Sequence, residues 1–127
     1  MDRGWLFIGA LSAATAVGLG AFGAHGLREM LTPEMLAVFE TGVRYQMYHA
    51  LALVALGLAG KALLGRLASV ACGLFVAGSV CFSGSLYLLT LFGTRGLGLV
   101  TPLGGVMLLT GWLVLAWAAL KSGRRRV

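Results

Sequence analysis

The sequence predicts an all-α integral membrane protein, an up-and-down four-helix bundle with an interfacial helical extension before its second span. Three observations carry this. Only 11% of the 127 residues are charged and 59% are hydrophobic, against about 25% charged in soluble domains. Mean hydropathy is +0.93, so most of the outer surface must face lipid. The apolar residues gather in four runs, most of them near the roughly 20 residues that cross a bilayer. The length supports one domain, residues 1–127.

The first uncharged run, Trp5 to Ala24, predicts a span over about 5–25. At about 20 residues it exceeds the 7–15 of a signal-peptide apolar region, so it is read as a true span. The only long connection follows, from His25 to Gln46. Within it Thr32-Pro33-Glu34 reads as an N-cap, a first-turn proline and a first-turn acid. A helix from Pro33 to Gly60 would measure about 42 Å, longer than the bilayer core of about 30 Å. Residues 33–42 are therefore expected in the outer interface, with a bend near Gly42. The second span then covers about 43–63, its Lys61 snorkelling to the inner interface.

The third and fourth runs, Leu67 to Phe92 and Leu99 to Leu120, predict spans over about 67–92 and 99–120. Cys72 and Cys81 lie in the third run, about 13.5 Å and half a turn apart on a helix, and are read as free buried thiols. Short connections elsewhere imply antiparallel neighbours.

Charge orients the chain. With four spans, Arg3, Lys61, Arg66, Lys121, Arg124, Arg125 and Arg126 share one side, while Arg28, Arg44 and Arg95 share the other with Glu29, Glu34 and Glu40. The positive-inside rule puts both termini in the cytoplasm of a multi-pass inner (plasma) membrane protein. Trp5, Trp112 and Trp117 are expected at inner helix ends as interfacial indoles. The basic tail reads as an anchor on anionic lipid. The scattered basic residues make no nucleic-acid surface.

Helices in lipid associate through close backbone approach and interhelical hydrogen bonds. Twenty glycines serve the first requirement, and Gly20, Gly23, Gly42, Gly84, Gly104 and Gly105 are the expected packing positions. Pairs of small residues four apart, such as Ala14 with Gly18 and Gly73 with Ala77, add to them.

Polar residues inside a span are the default place to seek function. They crowd the outer half: His25, Tyr45, Gln46, His49, Ser83, Ser85, Tyr87 and Thr101. At about 100° per residue, Tyr45, Gln46 and His49 fall within about 60° of Gly42, one stripe able to face the bundle. Glu40, Arg44 and Tyr48 fall opposite, an expected interfacial ion pair and belt tyrosine. Ser79, Ser83, Tyr87 and Thr90 form a similar stripe on the third span. A pocket lined by His25, Tyr45, Gln46, His49, Ser83 and Tyr87 is the expected site, with Thr101 beside it.

The runs Gly20-Ala21-Phe22-Gly23-Ala24-His25, Thr41-Gly42 with Tyr45-Gln46 and His49, Phe82-Ser83-Gly84-Ser85-Leu86-Tyr87, and Thr101-Pro102-Leu103-Gly104-Gly105 resemble the YgdD/YwdK-type family of small inner-membrane proteins. The resemblance covers nearly the whole chain and implies a four-span membrane protein of unknown function.

The main functional expectation is a structural or accessory membrane component whose outer-half polar residues bond helix to helix. The alternative is a redox protein in which His25 and His49, on neighbouring helices at similar depth, ligate haem or receive a quinone. A further alternative is an oligomeric small-solute transporter. No metal set, nucleophile elbow or intramembrane acid is present in the sequence, so no enzyme, metal or resident cofactor is expected. The expected partners are the lipid bilayer and a membrane protein or second copy of the chain.

Overall fold

A computed structural model describes residues 1–60 and 65–124. They form four long helices: α1 (Arg3–His25), α2 (Pro33–Ala59), α3 (Arg66–Phe92) and α4 (Val100–Arg124), with a short 3-10 turn at Arg95–Leu97. Lys61, Arg125 and Arg126, to which the sequence assigns snorkelling and anchoring roles, lie outside the described residues.

Local chemistry sets the ends. Asp2 caps α1, its carboxylate accepting from the amides of Gly4 and Trp5. Thr32 caps α2 through the Met35 amide, with Pro33 in the first turn. That is the start expected from Thr-Pro-Glu, since the cap oxygen satisfies a first-turn amide and proline has none to satisfy. α3 ends at Gly93, whose φ of +65° lets its amide reach the Leu89 carbonyl while Thr94 reaches Leu88. This left-handed ending suits glycine, which has no Cβ to collide.

α2 runs unbroken through Gly42. A Cβ at Gly42 would lie 2.9 Å from the Tyr87 ring, so the glycine admits a neighbour and does not break the helix.

Packing follows chain order: α1 on α2, α2 on α3, α3 on α4. Successive helices run antiparallel, because residues near one helix's start meet those near the next helix's end. Along α1–α2, Leu6 meets Gly57, Gly9 meets Ala50 and Val54, Gly20 meets Val43, and Gly23 meets Phe39. Along α3–α4, Cys81 and Phe82 meet Gly104, Gly78 meets Leu108, and Phe75 meets Gly111. The buried positions of α1 are Gly9, Ala16 and Gly23, one small residue every seven. That spacing gives a narrow seam on one neighbour. The rest of α1 is exposed and apolar, as at Phe7, Leu11, Val17 and Phe22. Such a surface is at home in lipid.

Three glycine expectations are corrected. A Cβ at Gly18, Gly73 or Gly84 would meet nothing within 4 Å, so these face away from the seams. Small residues four apart mark a face without saying whether a helix covers it. Gly20, Gly23, Gly42 and Gly104 do sit at close approaches, and Gly105 lies in ordinary contact with Phe82. Gly57 and Gly78 are further contact glycines that the four-residue pairs missed.

α1, α3 and the segment Arg95–Arg124 are long and apolar enough to cross a membrane. α2 is as long as α3, but Arg44, Tyr45, Gln46, Tyr48 and His49 dilute its apolar run. Its core side chains Leu53 and Leu56 join Ala71, Cys72, Phe75 and Leu108 in the central cluster. Cys72 and Cys81 are free thiols.

Candidate functional site

The polar residues of α2 are the starting point, because an amide or imidazole among packed apolar helices costs free energy unless bonded. Gln46 is buried and has both ends of its amide in use. Its Nε2 donates to the Ser12 carbonyl of α1 at 2.9 Å, and its Oε1 accepts from the Tyr87 hydroxyl of α3 at 2.7 Å. One side chain therefore ties three helices. Four residues earlier, the Gly42 carbonyl accepts from the buried Ser83 hydroxyl at 2.7 Å. The Tyr87 ring lies over Gly42 and against Phe39, ring centres 5.3 Å apart.

His49, one turn on, points to a different neighbour. Its Nδ1 lies 2.6 Å from the Tyr45 carbonyl, and its Nε2 is 3.0 Å from the indole Nε1 of Trp112 on α4. A carbonyl only accepts and an indole N–H only donates, so His49 must carry its hydrogen on Nδ1 and accept at Nε2. The ring packs against Phe75 at 5.2 Å and Trp112 at 5.8 Å, which themselves pack at 4.8 Å. On α3, Ser85 donates to the Phe82 carbonyl and shares a hydrogen bond with Thr101 of α4.

The expected pocket is thus assembled in part. Gln46, Ser83 and Tyr87 come together, with Ser85 and Thr101 forming a separate tie. Tyr45 is partly exposed, its ring 4.8 Å from Phe82. His25 is exposed at the end of α1 and does not join them. In register, Gln46 bonds Ser12, and His25 lies 13 residues further along α1, about 20 Å of rise. The two histidines do not share a depth, because α1 and α2 run antiparallel along most of their length.

Other expectations also shift. Trp112 bonds inside the protein, not at a helix end. Trp112 stands near the middle of α4, 12 residues after its first residue. Glu40 and Arg44 approach to 4.0 Å on the exposed side, as their spacing predicts. Ser79 is half-buried, and Thr90 bonds only its own helix.

Beside this network lies a groove of about 600 Å³ between α2, α3 and α4, lined by Tyr45, Tyr48, His49, Phe82, Leu108 and Trp112, among others. Its lining is chiefly apolar and aromatic. Among the described residues, no group of three or more His, Cys, Asp or Glu stands close enough to hold a metal ion.

Long apolar helices joined by short connections, packed through glycines and tied by a few paired polar side chains, define a small polytopic helical membrane protein. The chain belongs to the family described as "Protein of unknown function (DUF423)", whose model matches residues 19–105. It is 47% identical over 118 residues to a "UPF0382 membrane protein" of Staphylococcus epidermidis, covering 92% of this chain and 95% of the relative. It is 45% identical to the "UPF0382 membrane protein YwdK" of Bacillus subtilis, covering 92% and 96%. A "UPF0382 membrane protein" of Haemophilus influenzae is 37% identical over 122 residues, 96% of this chain and 98% of the relative. These matches bear out the resemblance read from the four motifs. No solved structure matches the chain.

Proposed function

We propose that this is a four-span inner-membrane protein with a structural or accessory role, in which the polar side chains are ties between helices and not reacting groups. The observation that carries this is the double tie at Gln46: the two ends of one amide are bonded to two other helices. His49 supports the same reading, with both ring nitrogens engaged. So does Ser83, whose hydroxyl donates to the Gly42 carbonyl. Catalytic groups need a free lone pair or proton aimed at a substrate. His49 has both of its ring nitrogens engaged within the protein.

The same bonds argue for α2 as the fourth span. Its polar residues lower its hydropathy, yet Gln46 and His49 are buried against other helices, where membrane proteins place such groups. Four spans put both termini on one side, and the excess of Arg and Lys there favours the cytoplasm. The reading needs no haem, and the separation of His25 from His49 gives a paired-histidine haem no support.

Two measurements test it. In a double-mutant cycle of Gln46→Leu and Tyr87→Phe, read by unfolding in detergent, the coupling should be about 0.6–1.7 kcal/mol; purely additive effects would remove the tie. The purified protein should show no Soret band, oxidised or dithionite-reduced. A near-stoichiometric band would overturn the reading.

A further inference from the structure

Among the described residues, the His49–Trp112 bond is the one hydrogen bond joining α2 to α4, and both partners line the groove between these helices. Its direction is fixed. Tyr45 holds the His49 hydrogen on Nδ1, which leaves Nε2 as the acceptor for the indole N–H. The bond therefore exists only while His49 is neutral. We propose that the His49–Trp112 pair is an acid-sensitive latch that ties α2 to α4 along the wall of the groove and releases when His49 takes up a proton.

Protonation places a hydrogen on Nε2. Two donors then face each other at the 3.0 Å contact, and neither has a lone pair to offer. Nothing nearby compensates the new charge. From α2 the ring faces Tyr45, from α3 Phe75, and from α4 Trp112. Phe82, Tyr48, Leu108 and Leu109 complete its side of the groove, and Cys72 adjoins Phe75 in the core cluster. None of these is a carboxylate. The four acids are Asp2, at the α1 cap, and Glu29, Glu34 and Glu40, in or near the α1–α2 connection. An imidazolium in this setting lacks both acceptor and counter-ion at Nε2, so ring and indole must part. Trp112 is already partly exposed at the groove wall, with space to swing into. The sign is that acid releases the tie between α2 and α4 and neutral pH holds it.

The test is a pH titration from 8 to 4 of uniformly 15N-labelled protein in detergent, following the three indole N–H resonances, with Trp112 assigned by its loss in Trp112→Phe. The Trp112 resonance should shift reversibly and with the same midpoint as the His49 ring nitrogens, resolved in a His25→Asn background. The Trp5 and Trp117 resonances should stay in place. In His49→Gln, which cannot titrate, the Trp112 shift should vanish. A Trp112 resonance indifferent to His49 titration would overturn the latch. So would a His49 ring that stays neutral to pH 4, or a shift that coincides with loss of helix by circular dichroism. The neutral tautomer supplies a test independent of whether His49→Gln folds: hydrogen on Nδ1 is expected, and hydrogen on Nε2 would end the proposal.

Discussion

Gln46 and His25 show how differently two polar residues of one candidate site can be used. Gln46 lies level with Ser12 near the middle of α1, enclosed and doubly bonded, whereas His25 is exposed at that helix's terminus. His49 stands with Gln46. Replacing His49 by Ala removes an acceptor for Trp112 and a ring packed on Phe75, and should cost about 1–3 kcal/mol. His25→Ala should stay within about 0.5 kcal/mol, as expected of a surface position. Equilibrium unfolding in a mild detergent measures both, and equal losses would contradict the separation of their roles. Phase on the helix made the shared face of Gly42, Gln46 and His49 legible in the sequence. It did not reveal the partners, because Gln46 bonds a backbone carbonyl on α1 and no side-chain pattern marks a carbonyl. Phase placed Tyr45 at the stripe's edge, and there it is partly exposed with its ring against Phe82 of α3.

Between elements, the decisive chemistry is the distance at which backbones meet. A Cβ on Gly104 would fall within van der Waals overlap of the Phe82 amide nitrogen and 2.9 Å from the Cys81 carbonyl carbon. Backbone cannot rotate aside as a side chain can, so Gly104→Ala must push α4 away from α3, at about 1–3 kcal/mol for an overpacked contact. Gly57→Ala meets the Leu6 backbone in the same way and should loosen α1 from α2. Gly84→Ala meets nothing and should be neutral or slightly stabilising, since alanine favours the helix over glycine by about 1 kcal/mol. Thermal melts of the three variants in one detergent would check the order, and a destabilised Gly84→Ala would mean that this face is covered. Helix limits were the most legible part of the sequence. Thr32-Pro33-Glu34 opened α2 where expected, and Gly93 closed α3 as glycine does. Which glycines lie on seams was less so. The same spacing suits a helix neighbour and a lipid chain, and only three-dimensional packing separates Gly104 from Gly84.

At the scale of the whole molecule, the contact register bears directly on the proposal that α2 crosses the membrane. α2 accompanies α1 from Phe39 beside Gly23 to Gly57 beside Leu6. A helix that runs antiparallel along another for that distance occupies the same range of depth. This register supports the proposal that α2 spans with α1, whatever its own hydropathy. Under that proposal hydropathy understates α2, because it scores Gln46 and His49 as though each faced lipid, when both are bonded inside. An even number of spans puts Arg3 and Gly123 on one side, and three spans would put them on opposite sides. Single cysteines at Arg3→Cys, Met30→Cys, Gly96→Cys and Gly123→Cys, in a background of Cys72→Ala and Cys81→Ala, separate these cases. A membrane-impermeant maleimide applied to intact spheroplasts should label the Met30 and Gly96 positions. The Arg3 and Gly123 positions should react only after lysis, as the excess of basic residues on their side requires. Labelling of one terminus but not the other in intact cells would leave three spans and lay α2 along a surface. That outcome would also expose Gln46 and His49 to the headgroup region, where water competes for their bonds. The ties they make to α1, α3 and α4 would then lose most of their reason to form.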